Sequence, residues 1–177
     1  MIKILILVLA LVLPSVGVAA KPTGLNDSQI IAIVIAANQA DLSIGHLVMS
    51  KSKDNEVSFF AQSMVSDHSI NLKSVATLMT RLKITPQDSP TSQNFIVKSM
   101  QNITSLNSLN QTEFNKTYIN QEVIFHEQVL ETIDSLLIPN AKNAELKQLL
   151  NKIRPAFASH LNHAKRVQEY LNQQNIN

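Results

Sequence analysis

From residue 26 onward, apolar residues return at steps of three and four over several long stretches of the chain. Ile30, Ile33, Val34, Ala37, Asp41, Ile44 and Val48 fall on one stripe, the spacing of a helix face. Asn26-Asp27 or Ser28 can cap this helix, which runs to about Ser52. A polar turn, Lys51 to Glu56, precedes a second stripe of Val57, Phe60, Ala61, Met64, His68, Leu72, Val75, Met79 and Leu82. That helix ends before Thr85-Pro86, because the residue preceding a proline avoids the α region.

Gln87 to Thr91 is the loosest internal segment and opens a crossover. A weaker helix over about Ser92 to Leu109 carries Ile96, Met100, Ile103 and Leu106 as its stripe. A third long helix starts near Thr112 with Ile119, Val123, His126, Leu130, Ile133 and Leu137. A fourth runs from about Asn143 with Leu146, Leu149, Ile153, Phe157, His160, Ala164, Val167 and Leu171. Pro155 inside it removes a backbone donor and is expected to bend it, and the Asn/Gln-rich end beyond Leu171 is expected to fray. The pattern predicts an all-α protein of two helical hairpins, joined by a crossover long enough to span a bundle. Three glycines and no tryptophan agree with helices over a turn-rich sheet protein.

The N-terminus has a different texture. Lys3 precedes a continuous apolar run, Ile4 to Leu13, then Pro14-Ser15 and the small residues Gly17-Val18-Ala19-Ala20. This is the form of a secretory signal peptide over residues 1–20, cleaved after Ala20. The other reading is an uncleaved anchor, for which the run is short against a span of about 20 residues. Residues 21–177 then form one domain, with a core over about 26–171, exported to the periplasm or beyond. No stable membrane insertion is expected once the signal is removed.

Cysteine is absent, which excludes disulfides, thiolate metal sites and a lipidated N-terminal cysteine. The formal charge of +2 gives no electrostatic case for nucleic acid. No Gly-x-Ser-x-Gly and no glycine-rich phosphate loop occurs, so the chain offers little support for an enzyme.

Histidine changes the picture. Three of the five histidines, His68, His126 and His160, lie on the apolar seams of three different helices, each near the middle. Imidazoles fill a core poorly unless their nitrogens find partners. Residues in an antiparallel hairpin are level when symmetric about the turn. Asp41 and His68 are symmetric about Asp54-Asn55, and His126 and His160 about Asn143. A turn at Pro139-Asn140 would instead bring Ile153 level with His126 and displace His160 by roughly 10 Å. His163 is expected to be solvated and His46 partly exposed, and Met49, Met64, Met79 and Met100 are read as core filler.

The segments Asn38-Gln-Ala-Asp-Leu-Ser-Ile-Gly45, Phe60-Ala-Gln-Ser-Met-Val-Ser-Asp-His68, Phe114-Asn-Lys-Thr-Tyr118 with His126, and Arg154-Pro155 with His160-Leu161 occur in the order of a known family. The chain resembles the ferritin-like domain-of-unknown-function family of exported bacterial proteins, often labelled predicted outer membrane proteins, over about Leu25 to Tyr170. The resemblance implies a ferritin-like four-helix bundle and no settled activity. The sequence departs from the family pattern at Asn115, where Asp is usual, and at Asp41, where Glu is usual.

Two functions follow as expectations. In the first, His68, His126 and His160, with Asp41 as a candidate fourth ligand, bind one zinc, copper or iron ion, while Asp67, Glu122 and Glu127 stand near enough to orient them. Di-iron oxidase chemistry is disfavoured, because no histidine has an acidic residue three positions before it. In the second, the histidines form a buried hydrogen-bond network in a structural or stress-related envelope protein. Convergence of the three imidazoles on one point would favour metal; separate partners would favour the network. The crossover, residues 87–109, is also a candidate surface for a protein partner.

Overall fold

The structure, a computed structural model, describes residues 24–174, so the expected signal peptide lies outside the described residues. The elements are α1 (Asp27–Lys51), α2 (Asn55–Leu82), α3 (Pro90–Asn107), α4 (Gln111–Thr132), a π-helical turn (Ile133–Leu137), α5 (Ile138–Asn140) and α6 (Ala144–Gln173). The described residues contain no strand. α4, the π turn and α5 run on as one rod. Ile138 donates to the Ile133 carbonyl five residues back, just before Pro139, which has no N–H to continue an α-helical ladder.

Local sequence sets each start. Asn26 and Gln29 form a reciprocal capping box on α1, Asp54 accepts from the Val57 N–H, and Asn110 accepts from the Glu113 N–H. Asn143 accepts from the N–H groups of Glu145 and Leu146. Each cap satisfies donors that the first helical turn leaves without partners. α2 stops on Lys83, a non-glycine residue held in the left-handed region at φ 54°.

Polar contacts at the two ends define the topology. The Gln87 N–H donates to the Ser28 carbonyl (3.1 Å), and Lys51 Nζ donates to Asn107 Oδ1 (2.7 Å), so α3 runs alongside α1 in the same direction. Asp27 accepts from the N–H groups of Lys142 (2.9 Å) and Asn143 (3.0 Å), which puts the start of α6 at the start of α1. Ser52 Oγ bonds Asn115 Oδ1 (2.9 Å) at the opposite end, where α4 begins. The four long elements therefore run up, down, down, up, and α3 carries the chain back across the length of the bundle. This is the expected hairpin-crossover-hairpin arrangement.

The interior has a three-part layout. One apolar cluster includes Ile30, Ile33, Ala37, Val75, Val129, Ile153 and Phe157; a second includes Ile44, Val48, Phe60, Met64, Tyr118, Val123 and Ala164. Asn38, Asp41, His68, Glu122, His126 and His160 are buried at the level between them. Beside the second cluster Gly45 lets α1 and α2 approach closely, since a Cβ there would meet Val65 Cγ2 at 2.8 Å. By length and apolar composition α1 could cross a membrane, but 67% of its most apolar stretch is buried in the bundle. It packs on α2, α3 and α4 and keeps little surface for solvent.

The crossover helix sits rotated from the expected face. Ser92, Phe95, Ser99 and Leu106 are buried, whereas Ile96 and Met100 are exposed. Ser92 closes a reciprocal cap with Ser89, and it shares the buried side of the helix with Phe95 and Ser99. The methionines divide as well. Met64 is core and Met79 packs at its margin, but Met49 and Met100 are exposed. α6 holds Pro155 without a break and runs to Gln173.

Candidate metal centre

His68 comes from α2, His126 from α4, His160 from α6 and Asp41 from α1, and the bundle brings all four together. Ring centroids are 5.0 Å apart for His68 and His160, 5.6 Å for His126 and His160, and 6.0 Å for His68 and His126. His68 and His126 are fully buried, His160 is 4% exposed and Asp41 1%. Phe157 packs against both His68 (5.1 Å) and His126 (5.8 Å) and holds the rings from the apolar side. The Asn143 turn was therefore the right axis for the second hairpin.

Each imidazole has one nitrogen engaged and one unsatisfied. His68 Nδ1 donates to Asn38 Oδ1 (2.9 Å), and Asn38 is oriented by its own amide, which donates to the Val34 carbonyl (2.7 Å). His126 Nδ1 donates to the Glu122 carbonyl (3.0 Å), and His160 Nε2 donates to Asp67 Oδ2 (2.9 Å). The opposite atoms, His68 Nε2, His126 Nε2 and His160 Nδ1, are buried without a hydrogen-bond partner. One nitrogen from each ring lies within 4.8 Å of the others.

Carboxylates close the other side. Asp41 Oδ2 stands 3.1 Å from His68 Nε2 and Glu122 Oε2 stands 3.4 Å from His126 Nδ1, in both cases without hydrogen-bond alignment. Asp41, Glu122 and His126 form a second set of ligand-type atoms within 4.8 Å of one another. The Tyr118 hydroxyl, two turns before His126, is also buried and unpartnered.

Burial and mutual charge explain the proton affinities. Burial works against a charged His126, but the facing carboxylates of Asp41 and Glu122 outweigh it and lift the imidazole to about 9. Burial pushes the Asp41 carboxyl well above the usual range, partly opposed by His126 and reinforced by Glu122. His68 is lowered by burial and then by its two imidazole neighbours. His160 is lowered by burial against the opposing pull of Asp67.

Sequence reasoning placed Glu122 only in a supporting role; its carboxylate instead faces the cluster. The signal was available, since it lies one turn before His126 on the same face. Asn38, one turn before Asp41, was missed as the partner of His68. Asp67 does orient a ligand-type histidine, whereas Glu127 pairs with Lys165 at the surface (2.8 Å). His46 is exposed, and half-buried His163 lies edge-on to Phe60 (5.0 Å) and outside the cluster.

A four-helix bundle with a crossover, enclosing three histidines whose inner nitrogens have no partner, defines a class of helical protein with a buried polar centre. Within that class, residues 14–167 match the family described as Domain of unknown function (DUF4142), and the chain belongs to it. No curated protein matches the sequence. Among solved structures, a DUF305 fragment from Deinococcus radiodurans superposes with a TM-score of 0.71 over 81% of this chain and 95% of that one. At 10% identity the likeness is one of fold alone.

Proposed function

We propose that this protein binds one transition-metal ion, of the zinc, copper or iron kind, at the centre of its bundle. His68, His126 and His160 are the ligands and Asp41 the fourth group. The observation that carries this reading is the sorting of ring nitrogens: outer N–H groups held by Asn38, Glu122 and Asp67, inner nitrogens without partners and facing one another. A hydrogen-bond network accounts for the outer atoms and leaves the inner ones at a cost of about 1–3 kcal/mol each. Outer-shell acceptors of this kind fix the tautomer that a metal-bound imidazole requires. One nitrogen from each ring already lies within 4.8 Å of the others, close enough for a single ion to gather all three.

The ferritin-like kinship belongs to the same proposal, because bundles of this connectivity build metal sites from facing helices. So does export: the apolar run before Lys21 supports a mature protein that begins there and works in the cell envelope. An N-terminal sequence retaining Met1–Ala20 in protein from its native source would contradict export.

The test is metal analysis of untagged protein, followed by thermal melts of wild type and the three His→Ala variants, with chelator and with added zinc or copper. An ion that binds only the folded state adds about 2.7 kcal/mol at a hundredfold excess over Kd. Each variant should lose that gain. No metal-dependent shift in the wild type would end the proposal.

One observation favours a structural role instead. His126, lifted to about 9 by the nearby Asp41 and Glu122 carboxylates, pairs with Glu122 in the core, and that attraction can hold the centre closed by itself. On that reading the variants are destabilised by about 1–3 kcal/mol with or without metal.

A further inference from the structure

The two ligand sets share His126. Its Nδ1 is committed to the Glu122 carbonyl, so its one free nitrogen can serve only one ion. Asp41 Oδ2 also stands 3.1 Å from His68 Nε2, so the three imidazoles and two carboxylates form one contiguous cluster rather than two separate ones. Both Asp41 oxygens and Glu122 Oε2 are buried without hydrogen-bond partners, as a ligand oxygen would be before its ion arrives.

Charge then restricts the occupant. In the deprotonated form that ligates, three neutral imidazoles and two carboxylates carry two negative charges, and no lysine or arginine is among the buried residues described. A divalent ion brings the centre to neutrality. A monovalent ion leaves one negative charge uncompensated in a dry core, where unpaired charge is strongly penalised. Donor chemistry points the same way, since imidazole with carboxylate suits borderline and hard divalent ions, while monovalent copper is drawn to sulfur.

We infer that the centre is a divalent-cation site with a mixed shell of three nitrogens and two carboxylate groups, in which Glu122 is a ligand alongside Asp41. The inference rests on the metal reading and names the class of ion. Five protein groups favour an ion that accepts five or six donors over one that demands a closed tetrahedron.

Cobalt(II) and copper(I) serve as probes on the full mature chain stripped of metal. Each is titrated against a competing chelator, with copper held reduced. Asp41→Asn and Glu122→Gln should each weaken cobalt(II) binding at least tenfold while leaving copper(I) unchanged or tighter. Glu122→Asp, which keeps the charge, should preserve the ratio of the two affinities and covers the case in which Glu122→Gln does not fold. X-ray absorption on the cobalt-loaded wild type should show more light-atom donors than three imidazoles supply, with no variant required. If the His→Ala variants lose both ions but the carboxylate variants leave the ratio unchanged, the metal reading stands and the divalent inference falls. If the wild type binds neither probe, the metal reading itself fails and takes the inference with it.

Discussion

Loading a divalent ion into this centre should expel about one proton or more at pH 7.5. With its imidazole at about 9, His126 is roughly 97% protonated at that pH, and a protonated ring cannot ligate. His68 and His160 are pushed the other way by burial, so they are already neutral and release almost nothing. Asp41, raised by burial, adds to the count to the extent that it still holds its proton. Three unperturbed imidazoles at about 6.5 would together release only roughly 0.3 proton under the same conditions. The two pictures therefore differ about threefold in a directly measurable stoichiometry. Calorimetric titration with zinc or cobalt in buffers of different ionisation enthalpy reads it. Between pH 7 and 8, each proton displaced from a group at about 9 should also tighten the apparent Kd nearly tenfold, about 1.4 kcal/mol. Asp41→Asn or Glu122→Gln should lower the proton count, because each removes a carboxylate that sustains the His126 charge. A count near 0.3 in the wild type would refute the picture of an imidazolium held between two buried acids.

Without metal, stability should fall as pH rises from about 6.5 to 9: His126 is raised above its unfolded value, so its contribution is complete below the former and lost through the latter. Chelator-treated melts across that range check the sign, and a Tm that climbs steadily with pH would contradict it. Phe157→Ala should cost about 3–5 kcal/mol and loosen both rings it supports, so urea unfolding and metal affinity should decline together. Gly45→Val should destabilise by about 1–3 kcal/mol, since even a Cβ meets Val65 at 2.8 Å; an unchanged denaturation midpoint would show that α1 and α2 can separate without penalty. Lys83→Gly should instead stabilise by about 0.5–1 kcal/mol by relieving a left-handed backbone position, measurable as a raised Tm.

The long helices were legible because their apolar stripes are continuous and their caps are explicit, as with Asn143 ahead of Leu146. Counting outward from that cap placed His126 and His160 at one level, which the rings confirm at 5.6 Å. The crossover was less legible. A periodicity rule favours Ile96 and Met100, whereas the buried side of α3 carries Ser92 and Ser99 beside Phe95, small polar residues that apolar spacing passes over. On α2 the buried line shifts after His68 to Asn71, Val75 and Leu78, a drift that straight counting along Leu72 and Met79 does not capture. The roles of Glu122 and Asn38 were hidden for another reason. Asn38 matters through His68 on another helix, which spacing within α1 cannot show, while Glu122 was visible one turn before His126 but nothing in α4 alone says that its carboxylate faces Asp41.

The polar residues of α1 have a consequence for how the chain is made. Once the expected signal peptide has opened a translocation channel, the next segment to pass is Asp27–Lys51, apolar enough and long enough to be taken as a stop. Asn38 and Asp41 lie at its middle, where a single aspartate disfavours lateral release into lipid by about 2.5–3.5 kcal/mol. On the proposed export route, the side chains that face and orient His68 in the finished bundle would also mark α1 as cargo rather than as an anchor. A change such as Asp41→Leu would alter the destination of the protein before it altered the chemistry of its core.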